Sequence, residues 1–187
     1  MMRGADDQIK YAGKFLEFRE TERGWEYVIR PNCKGVVAIL AVNNDKQVVL
    51  VEQYRPPVNR NVIELPTGLA GDIPLMEDEP LVVAAKRELK EETGYQAKHW
   101  ATLTEGPSSA GLSKELITLF HATGLTKVSE GGGDATEDIR VHCIDIPHVP
   151  TWCARRREEG MMVDYKIFAA LYLAGAGTRL SDSRLWI

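Results

Sequence analysis

E-P-L-V-V-A-A-K-R-E-L-K-E-E-T-G-Y, residues 79–95, is the stretch on which the reading of this chain turns. Leu81, Ala84, Ala85 and Leu89 recur at three- and four-residue steps, the apolar stripe of a packed helix, and Gly94 supplies a stop just past its end. Near that end Glu88, Glu91 and Glu92 fall at i, i+3 and i+4, which sets three carboxylates on one face within about one turn. Like charges so close repel, and acids near a helix C-terminus oppose the macrodipole. The arrangement works against local stability and calls for compensation. Hard divalent cations, Mg2+ or Mn2+, suit clustered carboxylate oxygens and in turn hold phosphate oxygens and water. The ordinary reading is a solvated face balanced by Lys86, Arg87 and Lys90, and for any one of these glutamates alone it is preferred.

The flanks shift that balance. Upstream lies Glu64-Leu65-Pro66-Thr67-Gly68, and Gly68, Glu79, Arg87-Glu88-Leu89, Glu91-Glu92 and Gly94-Tyr95 together resemble the signature of the Nudix hydrolases. Every spacing agrees from Glu79 onward. Before it the loop is longer than the family's: ten residues separate Gly68 from Glu79, and seven separate Gly71 from Glu79, so an insertion is expected around residues 72–78. Val51-Glu52-Gln53-Tyr54-Arg55, the segment 107–115 and Glu137-Asp138-Ile139-Arg140-Val141 extend the likeness to the branch that splits ADP-ribose and nucleoside diphosphate sugars.

Composition sets bounds around this reading. The 187 residues carry 27 Asp and Glu against 23 Lys and Arg, a net charge of -4 that argues against a nucleic-acid partner held by its backbone. An anionic small substrate stays open, since metal ions carry the positive charge. Cys33, Cys143 and Cys153 are scattered, as reduced thiols of a cytoplasmic protein would be. The start M-M-R-G-A-D-D-Q lacks a signal's apolar core and no run reaches membrane-spanning length, so no membrane partner is expected.

Residues 9–19 and 25–30 read as the two strands of an N-terminal hairpin. Residues 36–42 form a continuous apolar strand expected to be buried on both faces, and 47–53, 62–65, 97–105, 116–122 and 139–146 are further strands. The run 129–134, with three successive glycines, is expected to be a mobile loop. Residues 147–159 and 164–174 are helix candidates, and the tail after Gly175 is expected to be loose. Strands in blocks with few helices indicate an α+β fold. The resemblance makes it an α/β/α sandwich, a mixed sheet between helices, with residues 1–32 an antiparallel hairpin extension and 33–187 the Nudix domain.

The resemblance also implies roles. Glu88 and Glu92 are the principal metal ligands, with Glu91 and the carbonyl of Gly68 beside them, and Mg2+ is the cofactor, Mn2+ able to substitute. Arg87 orients a neighbouring carboxylate such as Glu79, or is an ordinary surface cation. Arg55 contacts the distal phosphate or braces Glu64, or merely ends an edge strand. Trp25 stacks on the nucleobase, or belongs to a core or dimer interface. Trp100, Trp152 and Trp186 are assigned to packing, and His99, His121, His142 and His148 lack ligand spacing. The general base matches Glu137, with Asp134, Glu130 or a helix carboxylate as alternatives. Relatives exchange their N-terminal hairpins in a homodimer, which is expected here too. The implied reaction is Mg2+-dependent cleavage of ADP-ribose, ADP-glucose or GDP-mannose to a nucleoside monophosphate and a sugar phosphate. A dinucleoside polyphosphate or nucleotide-pool hydrolase is the alternative enzyme, and a non-catalytic ligand sensor the alternative outside enzymes.

Overall fold

The structure, a computed structural model, describes residues 7–133 and 138–175. Three short strands open it: β1 (Gln8–Ala12), β2 (Glu17–Glu20) and β3 (Glu26–Ile29) pair antiparallel in that order as a separate sheet. The expected hairpin is thus a three-stranded unit. The first long strand is interrupted at Gly13, whose N–H closes a turn on the Leu16 carbonyl at 2.8 Å.

The main sheet is mixed. It is built from β4 (Gly35–Val42), β5 (Gln47–Arg55), β6 (Arg60–Glu64), β7 (Thr67–Ala70), β8 (Tyr95–Pro107), β9 (Leu116–Lys127), β10 (Arg140–Asp145) and the two-residue β11 (Met162–Val163). β4 runs parallel to β9 along one edge; on its other edge β7 pairs with its first half and β5 with its last two residues. β5 in turn takes β6 beyond β4 on one side and β10 on the other. The sheet therefore splits at β4 and β5, and the gap between β6 and β7 is spanned by Leu65 and Pro66, whose carbonyl accepts the Ile39 N–H at 2.9 Å.

Alternation along β4 explains its unbroken apolar run. Val37, Ile39 and Ala41 face one core with Ala84, Ala85 and Leu89 of α1 (Leu81–Thr93), while Val36, Ala38 and Leu40 face the other. That second core is closed by Val149 and Cys153 of α2 (Val149–Glu158) and by Ile167, Ala170 and Leu171 of α3 (Lys166–Leu173). Helices thus cover both faces, giving the expected sandwich. β7 and β11 were not expected; β7 carries no strand pattern of its own and is extended because β4 offers it an unpaired edge.

The glycine-rich run, expected to be mobile, is anchored over its described part. Gly132 and Gly133 donate their N–H groups to the carbonyls of Glu92 and Glu91 at 2.8 and 3.1 Å, satisfying acceptors that the end of α1 leaves open. Gly94 ends α1 in the left-handed region at φ 75°, where a Cβ would sit 2.0 Å from the Ser129 carbonyl oxygen. The expected loose tail, residues 176–187 with Trp186, lies outside the described residues. No helix among the described residues is long and apolar enough to cross a membrane.

Candidate active site

A cleft of about 680 Å³ opens where β7, α1, the turn after Gly71, the segment around Ser108 and the start of α3 converge. Gly68, Arg87, Glu88, Glu91 and Arg55 line it, together with Asp72, Ser108, Glu115, Arg30 and Lys166. Of the residues singled out in the sequence, α1 and the strand before it bring Gly68, Arg87, Glu88 and Glu91 together here, and the end of β5 adds Arg55.

Arg87 is the organising side chain. Its Nη1 donates to Glu88 Oε1 at 2.7 Å and to Glu91 Oε2 at 3.1 Å, while Nη2 donates to the Leu69 carbonyl at 2.9 Å and to Glu79 Oε2 at 3.3 Å. Glu79 is buried, so the guanidinium is its counter-charge as well as a brace for the two ligand candidates. Although burial disfavours the charged form, Glu79 and Glu88 hold Arg87 above its ordinary pKa.

Glu88 stands against the backbone of Gly68. A Cβ built there would lie 1.9 Å from the Glu88 Cδ, so any side chain at position 68 would push the Glu88 carboxylate out of this place. Burial, opposed but not outweighed by Arg87, pushes the Glu88 carboxyl up to about 7. Glu92 is buried and turned toward β7, where its Oε2 accepts the Thr67 N–H at 3.0 Å. As placed, no three acidic, imidazole or thiol side chains among the described residues converge on one point. The donors nevertheless fit a hard dication in kind: Glu88 and Glu91 are carboxylates close enough to share one cationic nitrogen, with the Gly68 backbone against Glu88.

On another part of the cleft wall, Arg55 Nε donates to Glu64 Oε2 at 2.7 Å. Burial raises the Glu64 carboxyl despite that partner. Trp25 is 62% exposed, which removes the reading of a core residue, and its Nε1 donates to the Gly111 carbonyl at 3.2 Å. It is not among the residues lining the cleft of a single chain. Glu137 and Asp134 lie outside the described residues, and Glu130 is almost fully exposed beside Lys127. Of the histidines, His142 meets buried Glu52 at 3.0 Å and stacks near Trp152, while Trp100 packs edge-on against Phe120.

Sequence reading passed over three cleft residues. Lys166 was read only as part of a helix and Arg30 only as a strand end; Asp72 lay in the inserted loop, which folds back on itself through Met76 N–H to Ile73 O and Glu79 N–H to Met76 O, both 2.9 Å. Only the inserted loop left a mark in the sequence, as extra length.

Comparison with known proteins bears on the family and the fold. The chain is 38% identical to the methanol dehydrogenase activator of Bacillus methanolicus over 60% of its own length and 57% of the relative's. It is 36% identical to the ADP-ribose pyrophosphatase of Bacillus subtilis over 51% and 49%, and 33% identical to the ADP-sugar pyrophosphatase of Mus musculus over 87% and 83%. The alignments span about half the length of the first curated relatives. A crystal structure titled as an ADP compounds hydrolase superposes with a TM-score of 0.69 over 95% of this chain and 94% of the other, at 18% identity, which speaks to the fold. A family profile described as NUDIX domain matches residues 32–151, a span that includes β4, β7 and the whole of α1. That is well over half of the chain, and the chain accordingly belongs to the NUDIX domain family, the one its α1 sequence resembles.

Proposed function

We propose that this chain is a divalent-cation-dependent pyrophosphohydrolase of nucleoside diphosphate sugars, ADP-ribose foremost, releasing a nucleoside monophosphate and a sugar phosphate in the cytoplasm. One observation carries the reading: a single cleft sets the carboxylates of Glu88 and Glu91 among the cations Arg30, Arg55 and Lys166, as a metal-bridged diphosphate requires. The activities for which the Bacillus subtilis and mouse relatives are named support the substrate class.

In this reading Glu88, Glu91 and Glu92 with the Gly68 carbonyl hold Mg2+, for which Mn2+ substitutes. When bound, the ion supplies charge neutralisation for the two phosphates and acidity for the attacking water. Arg87 keeps Glu88 and Glu91 aimed while satisfying buried Glu79. Arg55, braced by Glu64, binds the distal phosphate. Glu137 takes the proton of the attacking water. Residues 1–32 form a dimerisation extension and 33–187 carry the chemistry; β1 is exposed along its whole length, as are Tyr11, Phe15 and Trp25, which suits a sheet exchanged between two copies. Trp25 then covers a nucleobase from the partner's side.

The test is a product analysis. The protein is incubated with Mg2+ and, separately, ADP-ribose, ADP-glucose, GDP-mannose, UDP-glucose and nucleoside triphosphates. The expected outcome is AMP and ribose 5-phosphate from ADP-ribose; rapid triphosphate cleavage with intact sugar nucleotides would refute the assignment.

A further inference from the structure

Lys166 occupies a position that local stability does not explain. It is the first residue of α3, after the N-cap Tyr165, where a cation opposes the helix macrodipole. Its side chain is only 20% exposed, so most of its aliphatic stem is packed against the wall of the cleft. Nζ hydrogen-bonds one group among the described residues, Asp164 Oδ2, and lies 5.6 Å from the centroid of the Tyr165 ring; a three-donor ammonium thus keeps hydrogen-bonding capacity to spare, and the residue lines the cleft.

The surrounding backbone holds it there. β11 pairs parallel with β6 through Met162 to Val62 and Val163 to Ile63, and Asp164 N–H continues to the Ile63 carbonyl at 2.9 Å. Lys166 is thereby delivered beside Glu64, the last residue of β6, which Arg55 meets at 2.7 Å and on which the Lys166 charge also acts. Asp164 Oδ1 accepts the Lys166 N–H at 2.8 Å, and the Tyr165 hydroxyl reaches the Ser108 carbonyl at 3.4 Å, tying the start of α3 to another part of the cleft wall. Of these groups β11, Asp164, Tyr165 and Lys166 lie beyond residues 32–151, the part matched to the family, while Arg55, β6 and Ser108 lie within it.

We propose that Lys166 is a substrate-binding residue whose ammonium holds a phosphoryl oxygen of the diphosphate, next to Arg55, so that the C-terminal segment completes the site. A compact ammonium with free donors suits one phosphate oxygen, and the Asp164 partner keeps it in place before substrate arrives. The proposal rests on the function proposed above.

Calorimetric binding of the non-hydrolysable α,β-methylene analogue of ADP-ribose, in Mg2+, tests it on the full chain. Lys166→Met keeps the aliphatic stem and is expected to weaken binding about ten- to a hundred-fold with an unchanged melting temperature. Lys166→Arg should stay within about three-fold of the parent, and Asp164→Asn, which still accepts the Lys166 N–H, should bind at least as well as the parent. Binding by Lys166→Met within about two-fold of the parent overturns the proposal, as does an equal loss in Asp164→Asn accompanied by a lower melting temperature. A parent that neither binds the analogue nor cleaves any nucleoside diphosphate sugar refutes the proposed function, and this inference with it.

Discussion

Glu88 concentrates the conflict at the centre of the site: a carboxyl that burial pushes up to about 7 although Arg87 donates to it at 2.7 Å. Its ordinary value is 4.5, so without metal the folded chain holds a proton there that the unfolded chain has lost between about pH 4.5 and 7. That contribution to stability is present below the lower value and disappears as pH rises through the upper one. The melting temperature of the metal-free protein should therefore fall from pH 5 to pH 8, more steeply than that of Glu88→Gln, and Mg2+ at pH 8 should raise it only in the parent. A steeper fall in the variant would contradict this. Gly68 sets the other limit on the same carboxylate. In Gly68→Ala the new methyl occupies the place of the Glu88 Cδ, 1.9 Å away, so Mn2+ affinity by paramagnetic resonance should drop at least about ten-fold and turnover about a hundred-fold. For the base, Glu137→Gln is expected to lower turnover by about two decades with little change in affinity; a loss of only a few-fold would move the role to another carboxylate.

At the scale of elements, α1 shows how a locally unfavourable sequence is accommodated. Three acids at its C-terminal end oppose the macrodipole, yet Arg87 on the same helix spans Glu88 and Glu91, Glu92 turns back to the start of β7, and the loop 129–133 covers the last carbonyls. Gly94 joins helix and loop. Gly94→Ala places a β-carbon 2.0 Å from a backbone oxygen in a left-handed conformation, and should cost roughly 2 kcal/mol or more in chemical denaturation while raising hydrogen exchange at residues 128–133. Unchanged exchange there would mean the loop is not held by this contact. The β11–α3 segment is the opposite case. Its helix was legible from the apolar pattern, but its contribution of Lys166 to the cleft was not, because that depends on β11 lying parallel to β6.

For the whole molecule the N-terminal sheet is the outstanding feature. Among the described residues, the hydrogen bonds and ion pairs that tie it to the rest of its own chain include a Val28–Leu112 and Lys114–Val28 backbone pair, the Trp25–Gly111 bond and the Arg30–Glu115 ion pair at 2.9 Å. With so much apolar surface open on β1 and the turns beside it, the protein is expected to sediment as a dimer, and deletion of residues 1–32 to give a monomer with activity lowered by at least about ten-fold. A monomeric parent would refute the exchange of sheets and leave Trp25 as a surface residue of its own subunit.

How much of this was readable in advance differs by the range of the interaction involved. Residues 79–95 alone announced a helix with a buried stripe, a glycine stop and an acidic face, because side chains three and four apart meet within one helix whatever surrounds it. The unbroken apolar run of β4 likewise announced a strand covered on both faces. The extra length before Glu79 told of an inserted loop, though not of its folding back beside the cleft. Only tertiary structure decided that Glu92 turns to Thr67, that glycines 132 and 133 close the end of α1, that the sheet splits to admit β7, and that Lys166 stands beside Glu64. Each of these joins positions far apart in the chain, and such contacts follow from which backbone edges and buried groups are left unsatisfied after the local elements have formed, a quantity no single stretch of sequence carries.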